Sequence, residues 1–241
     1  MILRWIFLIY LPVTVMLNEM VLGAQGLPEY VCKSAEGEIV IDGMLNEKAW
    51  QDIEALTQFQ AWDGTRKANQ DTGVKFLRDT DNLFIGFVAY DKDIWATKSK
   101  RDDALCEDEV VEFFIDAEGD SNSYIELEIN ALNAIFDLYI SRTKGQYARW
   151  NLKGLESVVY INGTMDNRKD KDEWWSCEIK IPFYNFVMAR HIPPNKGDTW
   201  RLNAYRIERQ KSGDEYTVWS PTYTKTPNFH MPERFGRLVF E

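Results

Sequence analysis

Histidine and cysteine, two residue types that often carry nucleophilic or metal chemistry, are scarce in this chain. Its 241 residues include two histidines and three cysteines. Cys32, Cys106 and Cys177 are too few and too scattered for a disulfide framework or a zinc site. They are expected to form either one disulfide with one free thiol, or three free thiols. No G-x-S-x-G or comparable nucleophile turn is present, which argues against a hydrolase that uses such a nucleophile.

Basic residues are also outnumbered. There are 28 lysines and arginines against 38 aspartates and glutamates, which gives a formal net charge of −10. Such an acidic chain is a poor candidate for binding nucleic acid or anionic membrane surfaces. We therefore expect neither kind of partner.

Long apolar runs are absent except at the start of the chain. Arg4 precedes an almost wholly apolar run at residues 5–17, polar residues follow at 18–19, and small residues occupy 23–24. This order is typical of a secretory signal peptide, predicted here to span residues 1–24. A membrane anchor would need about 20 apolar residues. We therefore expect a secreted, periplasmic or cell-surface protein without stable membrane insertion.

Residues 25–241 are predicted to form one domain, as their number suits a single all-β or α/β unit. Aromatic residues make up 14% of the chain, including nine tryptophans. Such a composition favours a large β-rich core or aromatic surfaces that stack on ligands. We find no internal repeat, low-complexity tract or linker in this region.

Period-two alternation is the dominant pattern and predicts strands. In W-W-S-C-E-I-K-I at residues 174–181, Trp175, Cys177, Ile179 and Ile181 share one face and Trp174, Ser176, Glu178 and Lys180 the other. Further strands are predicted at 74–77, 83–90, 110–116, 124–130, 135–140, 158–161, 200–207 and 237–240. Helical signals are weak and limited to 45–50 and 182–186. The prediction is an all-β fold: an antiparallel β-sandwich of two packed sheets with about ten strands and one or two short helices.

A predicted hairpin around residues 117–122 opposes two acidic residues. Its simplest register places Glu112 opposite Glu128 on the face away from the buried one, and like charges there are destabilising unless something compensates them. The compensation could come from an arginine, a metal ion or a bound ligand. The candidate arginines on a neighbouring strand are Arg201, Arg206 and Arg209.

Several sequence blocks, taken together in order, resemble a known family. They are I-D-G-M-L-N-E-K-A-W at 41–50, T-D-N-L-F-I-G-F-V-A-Y-D at 80–91, C-E-D-E-V-V-E-F-F-I-D at 106–116, Y-I-E-L-E-I-N at 124–130, G-D-T-W-R-L-N-A-Y-R-I-E-R at 197–209, V-W-S-P at 218–221 and F-H-M-P-E-R-F-G at 229–236. The chain resembles family 9 carbohydrate-binding modules over about residues 36–241. That resemblance implies a β-sandwich that binds sugar, often with structural calcium, and no catalytic machinery.

The resemblance also implies site residues. In characterised modules two tryptophans clamp a terminal sugar, and charged and amide side chains bond its hydroxyls. Trp219 matches one clamp tryptophan and Glu112 matches the acidic ligand contact, whereas Cys106 occupies the other clamp position. Glu128 replaces the arginine of the next strand. The predicted ligand-binding residues are Trp219, Glu112, Glu128, Asn203 and Arg206.

The predicted function is therefore a secreted, non-catalytic protein that binds a sugar or polysaccharide end and supports carbohydrate catabolism. One alternative is a glycoside-hydrolysing enzyme or accessory protein that uses Glu112 and Glu128, since retaining glycosidases hold two carboxyl groups about 5 Å apart. Another is a surface sandwich that binds a protein partner.

Other residues could also contribute to a site. His230 with Glu233 could act as a general base, but a hydrogen-bonding role in the proline-bounded closing loop is the prediction here. His191 has no evident partner in the sequence. Further stacking candidates are Trp62, Trp95 and Trp150, and the oxygen-rich segments 91–93, 101–103 and 118–122 are calcium candidates.

Overall fold

The computed structural model describes residues 26–141, 146–210 and 213–241, with only the backbone described at 146–149. The predicted signal peptide at 1–24 lies outside the described residues and stays a prediction.

Nearly all regular structure in the described residues is β. The thirteen strands are β1 (Glu29–Ser34), β2 (Gln60–Ala61), β3 (Thr72–Arg78), β4 (Asn82–Tyr90), β5 (Val110–Asp116), β6 (Ser123–Asn130), β7 (Ile135–Ser141), β8 (Gln146–Arg149), β9 (Glu156–Asn162), β10 (Trp174–Pro182), β11 (Thr199–Gln210), β12 (Gly213–Val218) and β13 (Gly236–Phe240). One short helix, α1 (Lys48–Gln51), and 3-10 turns at Leu105–Glu107, Phe183–Asn185 and Pro232–Arg234 complete the elements. The all-β prediction is confirmed.

The described strands form one mixed, curled sheet. Their order is β8-β7-β6-β5-β11-β13-β1-β3-β4-β10-β9, with β12 paired to both β11 and β2. β1 runs parallel to β13 through its first residues and parallel to β3 through Lys33 and Ser34. The predicted antiparallel sandwich of two sheets is not confirmed, because β1 joins the two halves into one hydrogen-bonded path through parallel pairs.

The main core lies between the two halves of the curled sheet. The predicted inward positions of β10 are all buried in it, as are Val111, Phe113 and Ile115 of β5. Aromatic rings from opposite halves meet there: the Phe76 and Phe113 ring centroids are 6.2 Å apart, and those of Phe87 and Phe113 6.1 Å apart. Packing of this kind explains why one face of each strand is apolar.

A second, smaller core covers the other face of β5, β6 and β11. Val110, Phe114, Tyr124 and Tyr205 belong to it, and residues from the chain after β12, including Phe229 and Phe235, pack over them. The rings of Tyr205 and Phe229 stack with centroids 4.3 Å apart. Because of this cover, that face of the sheet does not lie open to solvent.

A loop before α1 covers part of the outer face of β4 and β10. The buried Glu178 carboxylate of β10 accepts hydrogen bonds from the backbone N–H groups of Asp42 and Gly43, both at 2.8 Å, and from Trp50 Nε1 at 2.7 Å. Gly43 has a φ of 88°, and a Cβ at this position would lie 2.8 Å from the backbone nitrogen of Tyr160. The I-D-G-M block is thus the segment that docks on this face.

All three cysteines are free thiols. Cys32 and Cys177 are buried in the main core, and Cys106 is exposed. Of the two arrangements expected from the sequence, the structure therefore has three thiols without a disulfide.

Candidate functional site

The β5–β6 hairpin has the predicted register. Glu112 pairs directly with Glu128, and Glu126 joins them on the same face. Carboxylate oxygens of the three lie within 4.8 Å of one another. Glu112 is 3% exposed and Glu128 4%, so three acidic side chains share a nearly closed space. We call Glu112, Glu126 and Glu128 the glutamate cluster.

Burial and mutual repulsion oppose ionisation of the glutamate cluster. Burial, followed by the charge of Glu128, raises the pKa of Glu112 well above its usual value. Burial and then the charge of Glu126 raise the pKa of Glu128 to about 9, and burial raises the pKa of Glu126 to about 7. Glu112 Oε1 and Glu128 Oε2 are buried without a hydrogen-bond partner. The protein therefore offers these three carboxylates too few hydrogen bonds and positive charges to offset the cost of burying them in the charged form.

The predicted compensating arginines are engaged elsewhere. Arg201 donates to Ser121 Oγ and to the carbonyls of Glu233 and Phe235. Arg209 lies near enough to lower the pKa of Glu112, but its guanidinium bonds to Asp214, Tyr216 and the Cys106 carbonyl. Of the three compensations that the sequence left open, an arginine salt bridge is therefore not formed across this hairpin among the described residues.

Arg206 of β11 and Glu112 of β5 lie on opposite faces of the sheet, because Arg206 pairs with Val111 and Tyr205 pairs with Glu112. Arg206 Nη2 is 3.3 Å from Asp91 Oδ2, and Arg206 pairs with Glu208. Its Nη1 donates to the Tyr90 carbonyl at 2.8 Å. Strand alternation explains this placement, since Asn203 and Tyr205 take one face and Arg206 and Glu208 the other. The structure therefore separates Arg206 from the two predicted glutamates.

Asp91, Glu109 and Glu208 form a second buried acidic group, with carboxylate oxygens within 4.8 Å of one another. Burial, followed by the charges of Glu208 and Asp91, raises the pKa of Glu109 to about 10. Oxygen donors of this type suit calcium, and Glu109 Oε2 has no hydrogen-bond partner. These three residues would hold such an ion, although Arg206 already supplies one positive charge there.

The other calcium candidates serve as turn and ion-pair groups. In segment 101–103, Arg101 bonds to both carboxylate oxygens of Asp137 at 2.7 and 2.6 Å. In segment 118–122, Asp120 Oδ1 accepts the backbone N–H of Asn122 at 2.8 Å. Of the three segments, only 91–93 contributes a residue to a buried acidic group, namely Asp91 beside Glu109 and Glu208.

Trp219 and Asn203 have structural partners. Trp219 is 6% exposed and packs in the main core; a Cβ on Gly236 would lie 2.4 Å from its ring. The Asn203 amide donates to the Ser220 carbonyl and accepts the Ser220 N–H, both at 2.9 Å. In this structure the Trp219 ring has no open face for stacking, and the Asn203 amide holds the loop after β12.

Cys106 is exposed and lies near the glutamate cluster. Burial, followed by the charges of Glu128 and Glu112, raises the pKa of its exposed thiol. The position that the resemblance assigns to a clamp tryptophan is therefore at the surface, next to the cluster.

The two histidines have local partners. His230 Nδ1 is 3.0 Å from the Tyr124 hydroxyl, and its ring lies 5.0 Å from that of Phe114. The hydrogen bond with Tyr124 confirms the predicted hydrogen-bonding role in the closing loop, and burial lowers the pKa of His230. His191, for which no partner was expected, contacts Asp198 Oδ2 at 2.8 Å through Nδ1. That expectation is wrong because the turn before β11 returns Asp198 to it.

An exposed aromatic surface lies on the outer face of β4, β10 and β9. Trp174 pairs with Tyr90 across β4 and β10, and the rings of Trp174 and Tyr160 are 5.6 Å apart at an angle of 34°. Tyr90 is 52% exposed and Tyr160 37%. We call Tyr90, Tyr160 and Trp174 the aromatic surface. Sequence reasoning placed Trp174 on the outward face but did not select it, although an aromatic residue at an outward strand position was the signal.

Polar groups border the aromatic surface. A shallow cavity of about 470 Å³ extends from Tyr90 and Trp174. Its other lining residues include Asn69, Gln70, Lys92, Lys171 and Glu173. Aromatic faces next to amide, ammonium and carboxylate groups are suited to a polar ligand with flat apolar patches.

The other tryptophans predicted to stack have different surroundings. Trp62 Nε1 donates to the Thr224 carbonyl at 3.1 Å, and the Arg168 guanidinium lies 5.0 Å from the centre of the Trp95 ring. Trp150 and Tyr139 line a mainly apolar groove of about 240 Å³ with Phe186, Val187 and other residues.

The family model for carbohydrate-binding family 9 matches residues 44–240. The chain belongs to carbohydrate-binding family 9. This result confirms the resemblance drawn from the sequence blocks. No match was found among curated proteins.

Solved structures have the same fold. A candidate carbohydrate-binding protein from Bacteroides uniformis has a TM-score of 0.75 and 19% identity, covering 90% of this chain and 100% of that one. A family 9 module from Caldicellulosiruptor kristjanssonii in complex with cellotriose has a TM-score of 0.61 and 14% identity, covering 88% and 93%. The glucose complex of a family 9 module from that organism has a TM-score of 0.59 and 14% identity, covering 88% and 96%.

Within the described residues, no helix of this family 9 chain has the length and apolar character needed to cross a membrane.

Proposed function

We propose that this protein is a non-catalytic carbohydrate-binding module that holds a sugar chain on its aromatic surface. The observation that carries the proposal is the half-buried Trp174 beside the exposed Tyr160 and Tyr90, on a chain that belongs to carbohydrate-binding family 9. Solved family 9 modules are complexes with cellotriose and glucose, which makes β-linked glucose chains the first ligands to test.

The geometry of the aromatic surface suits successive sugar rings. The apolar C–H face of a pyranose can lie on an indole or phenol ring, while its hydroxyl groups extend sideways to hydrogen-bonding partners. The rings of Trp174 and Tyr160 are neighbours, with centroids 5.6 Å apart and a tilt of 34°, and Trp174 lines the polar cavity. A sugar on Trp174 would therefore have Lys171 and Glu173 within the same cavity.

The site predicted from the resemblance stays a second proposal. Ligand contact at Glu112, Glu128, Asn203, Arg206 and Trp219 would require the covering loop and core packing to move, because all five are buried. Burial also weakens the alternative in which Glu112 and Glu128 cleave a glycosidic bond. A substrate would have to reach carboxyl groups that are buried.

Calorimetric titration of residues 25–241 with cello-oligosaccharides and a panel of other glycans tests the proposal. Trp174→Ala should weaken binding about 5- to 150-fold, if a sugar ring gains as much from one aromatic side chain as a stacked base does, about 1–3 kcal/mol. Tyr184→Ala is the matched control, because Tyr184 is an exposed tyrosine that lies outside the aromatic surface. No binding to any glycan would contradict the function. Binding that survives Trp174→Ala and Tyr160→Ala would contradict the site.

The cellular context is also part of the proposal. We expect residues 1–24 to direct export and the mature module to serve carbohydrate catabolism outside the cytoplasm, in the secreted, periplasmic or cell-surface setting predicted above. The net charge of −10 supports a carbohydrate rather than a nucleic acid as partner. Mass spectrometry of the exported protein checks the cleavage position.

A further inference from the structure

We propose that Glu112, Glu126 and Glu128 bind one hard divalent cation. This inference goes beyond the proposed function and does not depend on it, since it concerns strands β5 and β6 rather than β4, β9 and β10. It rests on an unusual arrangement in which three buried carboxyl groups face one another and two of their oxygens have no partner.

The cluster lacks a positive charge of its own. Among the described residues, no ion pair reaches Glu112, Glu126 or Glu128, and the three nearest candidate arginines are bonded elsewhere. A buried charge without a partner costs several kcal/mol in general. Three such groups at one point must either keep their protons or bind a cation, and a bound cation allows all three to ionise.

The unpaired oxygens identify where the ligand would lie. Glu112 Oε1 and Glu128 Oε2 are buried, have no hydrogen-bond partner and belong to residues less than 5% exposed. Both residues project into the same space from paired positions of β5 and β6. Glu126, two residues before Glu128 on the same face, closes the third side. The cluster therefore retains coordination capacity that no described protein group uses.

The spacing fits one ion. Two oxygens that each lie about 2.4 Å from the same calcium ion are at most about 4.8 Å apart, and the cluster has all three oxygens within 4.8 Å. Carboxylates bind either through one oxygen or through both, so three glutamates can provide up to about six donors. This donor set favours Ca²⁺, Mn²⁺ or Mg²⁺ over softer metals.

Cys106 offers the cluster a sulfur ligand that a hard cation would not prefer. This residue is exposed, and its thiol is close enough to be influenced by Glu128 and Glu112. Because a thiolate prefers softer metals, a Cys106→Ser variant is expected to retain the response to hard cations.

The second acidic group, Asp91, Glu109 and Glu208, differs from the glutamate cluster in having an arginine beside it. Arg206 already contacts Asp91 and Glu208, so a positive charge is present without a metal. The two groups lie on opposite faces of the sheet. Substitutions of Glu112 and Glu128 test the glutamate cluster, and a substitution of Glu109 tests the second group.

The test uses residues 25–241 stripped of metal with a chelator. Calcium and manganese titrations by calorimetry, with thermal unfolding at each concentration, should show one site whose occupancy raises Tm. In the Glu112→Gln/Glu128→Gln double variant this site should lose about 100-fold or more in affinity, because two of three charged ligands are gone. Since the substitutions remove buried like charges, the double variant should fold without metal.

Two controls locate the site. Glu109→Gln changes the second acidic group, and Glu156→Gln changes an exposed glutamate that pairs with Lys180; both should retain the response. The proposal is overturned if millimolar cation leaves the wild type unchanged. It is equally overturned if the double variant responds like the wild type or if the response disappears in Glu109→Gln instead. Titration with cellotriose in the presence of chelator separates these outcomes from failure of the proposed sugar binding.

Discussion

Glu112 and Glu128 lie at directly paired positions of β5 and β6, almost fully buried, with carboxylate oxygens less than 5 Å apart. Opposed like charges are destabilising in a sheet. Here an arginine does not offset them, so the folded protein must either keep protons on these groups or bind a cation. Both cases have measurable consequences.

Without metal, stability should fall as pH rises. The pKa of Glu126 is raised to about 7 and that of Glu128 to about 9, whereas the unfolded chain has ordinary values near 4.5. The folded state therefore retains protons that the unfolded state has lost, and stability present below about pH 4.5 is lost as pH rises toward 9. Urea unfolding in chelator at pH 5 and pH 8.5 measures this slope. Glu128→Gln should reduce it, and an unchanged slope in that variant would contradict the prediction.

Arg206 should be important for stability rather than for ligand contact. Arg206→Met leaves Asp91 and Glu208 buried without their cation, which typically costs about 3–5 kcal/mol. Arg237→Met is the control, because Arg237 forms an exposed pair with Glu29 at 3.5 Å and such pairs are worth about 0–1 kcal/mol. Chemical denaturation compares the two variants. Equal effects would show that the buried pairing of Arg206 is energetically unimportant.

Gly43 should tolerate alanine much less well than Gly37. Both have positive φ values, 88° and 93°, but a Cβ on Gly43 would lie 2.8 Å from the Tyr160 backbone nitrogen, whereas one on Gly37 would have nothing within 4 Å. Gly37→Ala should therefore cost only the conformational term of about 1–2 kcal/mol, and Gly43→Ala about 1–3 kcal/mol more. Thermal unfolding checks the difference, and similar Tm values would mean that the loop does not dock on β9 as described.

One thiol should react in the folded protein and three after unfolding. Cys106 is exposed, whereas Cys32 and Cys177 are buried. Because the raised pKa of Cys106 leaves less thiolate near neutrality, its reaction with Ellman's reagent at pH 8 should be slower than that of free cysteine. Cys106→Ser should abolish the native reaction. Two or more native equivalents would contradict the burial of the other two thiols.

Local pattern was enough to predict much of the sheet. The alternation in β10 correctly placed Trp175 and Cys177 in the core and Trp174 on the outside, since successive side chains of a strand take opposite faces. The pairing of Glu112 with Glu128 followed from the short hairpin around 117–122. The family blocks then predicted membership that the match over residues 44–240 confirms.

Residues far apart in the chain were harder to place. The short strands β1 and β2, and also β12, did not stand out in the sequence. The parallel pairing of β1 with both β3 and β13 changed the predicted two-sheet sandwich into one mixed, curled sheet. Parallel partners are not joined by a tight turn, so no local signal announces them.

By itself, then, the sequence determined the β class, the inward faces of the main strands and the opposition of Glu112 and Glu128, because these depend on alternation and on short connections. Only the tertiary structure decided that Trp219 packs in the core, that Arg206 joins Asp91 and Glu208, and that Tyr90 and Tyr160 flank Trp174. These positions depend on which strands become neighbours and which loop covers each face. Long-range packing sets both, and the spacing of residues along the chain does not encode it.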